Sequence, residues 1–203
     1  MKEVFQFVFP GLMLMWVCFI ANGVFGDIFQ EYRGHTVSRL LAAGVPLGQI
    51  LLSKMVRCLV VCWICELLLI LFTAVVFDVG WRNPGMLFVI LTSFNLFLLG
   101  LLSLVYGYAR STETANAITI FAFLLAAVLG GSFMPFRELP GPLQAVGQWT
   151  MIRMANYGIE SLFESRPLWE SIRPSLLLAA AGVLLAGAGM AVLRKRIESG
   201  EIK

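Results

Sequence analysis

Few side chains in this sequence could do covalent or metal chemistry, and they are poorly placed for it. The only histidine is His35, and the four cysteines, Cys18, Cys58, Cys62 and Cys65, all lie inside strongly apolar runs. Cys62-Trp-Ile-Cys65 has the CxxC spacing that holds zinc or a redox disulfide in soluble proteins. A tetrahedral site needs two further ligands, for which Cys58 and Glu66 are the best available set. Packing of small, soft side chains within a helix is the plainer reading. A single histidine also leaves no way to assemble a Ser/His/Asp or Cys/His constellation. The sequence has neither a GxxxxGK[ST] phosphate loop nor a strand leading into a Gly-rich turn. The expectation is a chain that is not an enzyme, with no metal and no cofactor of its own.

Glu66 stands apart from these groups, because it falls near the middle of an apolar run. An ionisable side chain at such depth costs roughly 3 kcal/mol on insertion scales, and it usually faces a bundle interior, a pathway or a partner. Two readings stand side by side. In one, Glu66 serves substrate passage or gating. In the other, it hydrogen-bonds a polar neighbour such as Asn95, Asn116 or Asn22.

The elements that must carry these groups are membrane spans. The 203 residues are 59% hydrophobic and 13% charged, whereas a soluble domain carries about 25% charge. A span needs about 20 mostly apolar residues, and the chain has five such runs, at about 4–28, 51–77, 85–109, 114–134 and 175–193. The predicted fold is an all-α integral membrane protein, one transmembrane domain over 1–203 with five helices. Pro10-Gly11 is expected to kink or delay the first helix. Gly130-Gly131 is expected to end the fourth. Gly182 and Ala186, with Gly187 and Gly189 beyond, permit close helix approach in the fifth, with internal packing favoured over a dimer seam.

Two connecting segments are unusual. Asp27 to Lys54 is charged, and within it Val37, Leu40, Leu41 and Gly44 follow the i, i+3, i+4, i+7 spacing of one helical face, with Gly44 and Pro46 as a stop signal. A short amphipathic helix over 31–44 is predicted, either a contact for a soluble partner or a connector floating in the interface. The segment 135–174 is rich in proline, has balanced charge and holds Trp149 and Trp169. It should form one or two short helices at, or dipping into, the interface.

Five spans put the termini on opposite sides. Placing the C-terminus inside assigns Arg33, Arg39, Lys54, Arg57, Arg110, Arg194, Lys195, Arg196 and Lys203 to the cytoplasm, leaving six of the 15 basic residues outside, four of them in the long 135–174 segment. Long segments weigh less in the positive-inside bias, so the expected topology is N-terminus out and C-terminus in. Arg194-Lys195-Arg196 reads as a topology anchor, with anionic lipid as the alternative. The basic residues sit beside apolar runs, which topology explains better than nucleic-acid binding does. The first run lacks a basic leader and is taken as a mature span. An N-out start without a cleavable signal raises the expectation that a further span precedes it.

Glu31-Tyr-Arg33-Gly34-His-Thr36-Val-Ser-Arg39-Leu40-Leu41, followed by Pro46 and Leu52-Ser-Lys54, resembles the E-R-x-x-G-T-x-x-R-L-L…P…GK pattern of ABC transporter permeases of the type-2 exporter family. Tyr32 replaces the usual basic residue, and Ser53 stands where Gly often precedes the Lys. Gly130-Gly131-Ser-Phe-Met-Pro135-Phe-Arg-Glu138-Leu-Pro140, continuing to Tyr157-Gly-Ile-Glu160, is similar to that family's external segment with re-entrant helices. The resemblance covers essentially the whole chain, as the five C-terminal spans of a longer permease. It implies a homodimeric or heterodimeric permease of the inner (plasma) membrane, in contact with lipid. Its 31–44 coupling helix would dock into a separate ATPase subunit that holds the ATP and Mg. On that reading Glu31, Arg33 and Arg39 make polar contacts and Thr36 belongs to the matched pattern. Val37, Leu40 and Leu41 are buried in the cleft or against the spans, and Gly34 permits a sharp turn out of the first span. The alternatives are a truncated, non-transporting scaffold or accessory subunit, and a small carrier using Glu66. Apart from Glu66 the spans lack a charged pathway, which leans towards a hydrophobic or amphipathic substrate.

Overall fold

A computed structural model describes the backbone of residues 2–33, 36–109 and 111–198, and within these the side chains of 8–27, 39–46, 48–109 and 111–196. The described residues form eight α-helices and one 3-10 turn: α1 Lys2–Arg33, α2 Thr36–Ala42, α3 Leu47–Phe77, α4 Pro84–Tyr108, α5 Thr112–Leu129, the 3-10 turn Phe136–Glu138, α6 Gly141–Gly147, α7 Met151–Phe163 and α8 Leu168–Glu198. Five of these, α1, α3, α4, α5 and α8, are long and apolar enough to cross a membrane. The fold is the all-α, five-span architecture that the hydropathy predicts.

Several boundaries move. Pro10 does not delay the first helix but lies inside α1, because loss of its one N–H bond is tolerated where neighbouring helices surround the helix. Pro174, expected to close the 135–174 segment, lies inside α8, which already begins at Leu168. There the Ser175 hydroxyl donates to the Ser171 carbonyl at 2.8 Å. The fourth span is shorter than predicted: Gly130 caps α5, and Gly131 at φ +82° turns the chain out of the helix, as expected of that pair. The helix predicted over 31–44 is divided. Nothing between Gly26 and Arg33 can stop a helix, so 31–33 continue α1, and α2 begins only at Thr36.

The remaining ends follow local chemistry. Asn83 Oδ1 accepts from Met86 N at 3.3 Å, with Pro84 opening α4. Ser111 Oγ accepts from Thr114 N at 3.1 Å at the start of α5, and Thr150 Oγ1 from Arg153 N at 3.3 Å at the start of α7. At the other end of α2, Val45 N donates to Leu40 O and Gly44 N to Leu41 O, at 3.1 and 3.0 Å. Gly44 at φ +83° makes this a Schellman cap. The stop signal read from Gly44 and Pro46 is thus a physical one.

In the packed bundle, α1 and α4 are the most buried spans, while α3, α5 and α8 turn most of their surface outward. The closest seam joins α4 to α8. A Cβ built at Gly182 would lie 2.6 Å from the Leu96 carbonyl carbon, and one at Gly189 2.7 Å from Leu104 N, so these glycines are required by the approach of the two backbones. Gly182 and Gly189 therefore serve internal packing, while Gly187 faces open space. At the far end of this seam Arg196 Nη1 donates to the carbonyls of Gly107 and Ala109, at 2.7 Å each. The arginine thus satisfies carbonyls at the C-terminal end of α4 that no helical N–H reaches. Arg196→Leu is expected to destabilise the protein by about 1 kcal/mol, read as an earlier thermal transition in detergent.

Candidate partner-contact helix and polar sites of the bundle

The two unusual segments lie at opposite ends of the bundle. One end holds α2, the Asp27–Arg57 ion pair at 3.4 Å, the α4–α5 turn and Arg196. The other holds the 78–83 turn and the α6–α7 segment, where Trp81 packs on Phe163 with ring centroids 5.3 Å apart.

At the first end, α2 carries Arg39, Leu40 and Leu41 facing outward, with Leu40 38% and Leu41 39% exposed. Two adjacent leucines on this two-turn helix each leave more than a third of their surface open. Val45, just past the Schellman cap, packs against the core and anchors the connection into α3. Glu31 and Arg33 occupy the last turn of α1, and Thr36 and Val37 open α2. Their side chains, and all of Gly34, lie outside the described residues.

Two polar groups are buried between the spans. Asn95 Nδ2 donates to Glu66 Oε2 at 3.0 Å, joining α4 to α3, with Glu66 1% and Asn95 0% exposed. Of the three partners weighed for Glu66, Asn95 is the one the fold delivers. The other two asparagines bond each other: Asn22 Nδ2 donates to Asn116 Oδ1. Asn22 Oδ1 accepts from the Tyr106 hydroxyl at 3.1 Å and the Thr119 hydroxyl at 2.7 Å. This network ties α1, α4 and α5 together in one layer. Its members are scattered through three apolar runs, and the only signal in the sequence was polarity within each run. Of the cysteines, Cys58 Sγ lies 3.6 Å from the Ala21 carbonyl, a contact between α3 and α1.

The opposite end is a polar cap built on α7, whose buried face of Met151, Ile152, Ala155, Ile159 and Leu162 lies against α1, α4, α5 and α8. Arg153 Nη1 donates to Glu160 Oε1 at 2.7 Å, and its guanidinium sits 4.2 Å over the Phe136 ring. Glu170 accepts from the Tyr157 hydroxyl at 2.9 Å and from Arg166 Nη1 at 3.1 Å. Burial, and then the bond to Glu170, push the Tyr157 phenol up from its ordinary pKa. Pro135 precedes the 3-10 turn, Glu138 lies in that turn with its side chain exposed, and Pro140 precedes α6.

Over residues 1–191 the sequence matches the ABC-2 family transporter protein family. The chain belongs to that family. It is similar to the linearmycin resistance permease protein LnrN of Bacillus subtilis (strain 168), 24% identical over 180 residues, which is 89% of this chain and 46% of LnrN. It is also similar to the putative transport permease YvfS of the same organism, 31% identical over 108 residues, 50% of this chain and 42% of YvfS. The chain spans about half the length of these curated relatives. No solved structure matches it. Within this ABC-2 family chain, Glu66 and Asn95 come together, as do Glu160 and Arg153. The α2 residues and the 130–140 residues stand at opposite ends and share no site.

Proposed function

We propose that the chain is the transmembrane permease portion of an ATP-driven exporter, with α2 as the coupling helix for a separate ATPase subunit. In this reading the N-terminus is outside and the C-terminus is cytoplasmic. The observation that carries the proposal is α2 itself: a capped two-turn helix between two spans, at the bundle end opposite α7, with Leu40 and Leu41 partly exposed. Family membership supports the ATPase as the partner, and the permease names of both relatives support transport.

The fold offers a physical route for such coupling. Closure of the ATPases would press on α2, which joins α1 on one side and α3 on the other. Asp27–Arg57 and the Cys58–Ala21 contact tie those two spans together. The Asn22 network carries a shift of α1 to α4 and α5. A rigid-body movement of packed spans then follows from displacement of one short element.

Replacing Leu40 and Leu41 together with aspartate is expected to reduce co-purification with the ATPase subunit by about tenfold or more and to abolish ATP-dependent export, with membrane insertion unchanged. ATPase binding at the wild-type level would sink the coupling role.

A further inference from the structure

Between α3 and α4 lies a cavity of about 280 Å³ whose lining includes Trp63, Glu66, Ile70, Trp81, Phe88 and Leu91. Phe88, 52% exposed, and the neighbouring lining residue Leu67, 56% exposed, put its mouth on the outward face of the two spans, where lipid lies. The volume equals roughly nine water molecules, room for a small head group and the start of a chain.

The polar atoms here are incompletely used. Glu66 Oε2 accepts from Asn95, but Glu66 Oε1, Asn95 Oδ1 and Trp63 Nε1 are buried without a partner. Two of these three atoms are acceptors, and one belongs to a carboxyl group. An unpaired acceptor in apolar surroundings costs free energy, and an ionised carboxylate at this depth is tolerated when a positive charge faces it. A cation with N–H donors in the cavity would satisfy the free Glu66 oxygen and hold the carboxyl in its ionised form. The aromatic lining agrees: Trp63 and Phe88 pack at 5.2 Å between centroids, and Trp81 is held by its Nε1 bond to Thr73 at 3.1 Å. Ring faces stabilise an ammonium that has left water.

We propose that this cavity binds a lipophilic amine in its protonated form, the ammonium donating to Glu66 Oε1 and its alkyl chain leaving through the mouth into the bilayer. The site does not depend on the exporter reading, because binding requires only the chain and a membrane.

The test is saturable binding of radiolabelled dodecylamine to the full chain in nanodiscs of zwitterionic lipid, with empty nanodiscs subtracted and no ATPase present. The expected result is displacement by unlabelled dodecylamine but not by dodecanol, which has the same chain and no charge. Glu66→Gln, which keeps the shape and the Asn95 contact, is expected to weaken binding by about tenfold or more. Equal displacement by dodecanol, wild-type affinity in Glu66→Gln, or no saturable binding above empty nanodiscs would each overturn the proposal. The amine-against-alcohol comparison uses the unaltered protein, so the result stands even if the variant does not fold. A chain that binds dodecylamine but fails to export with its ATPase would refute the exporter reading alone.

Discussion

Gly182→Leu is expected to force α4 and α8 apart and to be the most damaging single substitution in the spans. A Cβ at this position would meet Phe97 N at 2.5 Å, the Leu96 carbonyl carbon at 2.6 Å and Phe97 Cα at 2.7 Å. All three are backbone atoms of α4, so no rotamer change can make room, and one helix must move away from the other. Overpacking a core typically costs about 1–3 kcal/mol, and a clash of backbone against Cβ belongs at the top of that range, about 3 kcal/mol. Loss of the seam would also withdraw α8, and Arg196 with it, from the end of α4. The control is Gly187→Leu, five residues further along the same helix, where a Cβ would meet nothing within 4 Å. That change should be neutral to slightly stabilising, within about 0.5 kcal/mol, since leucine is the better helix former. Thermal unfolding in detergent, followed by loss of the monodisperse peak, separates the two. Equal melting of both variants would rule out the close α4–α8 seam.

The second large effect is expected at the opposite end, in the ion pair two turns apart on α7. The Arg153 and Glu160 side chains are 12% and 18% exposed, with N to O at 2.7 Å. Removing one partner from such a pair leaves a largely desolvated charge, at a cost of about 3–5 kcal/mol for a fully buried pair. The residual exposure here favours the low end, about 3 kcal/mol. Arg153→Met would in addition lift the guanidinium from the Phe136 ring and loosen the 3-10 turn from α7. Glu160→Met should be of comparable severity. The double variant should recover much of the loss, because two apolar side chains of similar size replace the pair without an orphaned charge. A double-mutant cycle on melting temperature measures this. Single variants as stable as wild type would mean that water already satisfies the pair.

The positions of the five spans were legible in the sequence because they rest on a local quantity, the length of apolar chain that fills a bilayer. The stops at Gly44-Pro46 and Gly130-Gly131 were legible for a related reason. A left-handed residue at a helix end is a property of the backbone of that residue, whatever it packs against. The boundaries that moved did so where other contacts override a local rule, as at Pro10, where a helix packed among other helices continues through the proline, and at Pro174, where the Ser175 hydroxyl bonds the Ser171 carbonyl alongside it.

For the candidate sites, the sequence marked Leu40 and Leu41 by their helical spacing and Glu66 by its depth in an apolar run. It offered Glu66 three asparagines, and only the arrangement of the spans put Asn95 beside it and turned Asn22 towards Asn116. It marked Gly182, Gly187 and Gly189 alike, yet 182 and 189 face the α4 backbone while 187 faces open space. It read Arg196 as one of three basic residues at a membrane border, and the fold makes it the cap of α4. Inside a membrane, lipid and neighbouring helix are equally apolar, so hydropathy does not record which face of a span meets another span. The sequence alone determined that the chain is a five-span membrane protein of this family's pattern, with a short helix between the first two spans. The tertiary structure decided which polar groups meet, which glycines are indispensable, and that Glu66 keeps one oxygen without a partner beside an aromatic cavity.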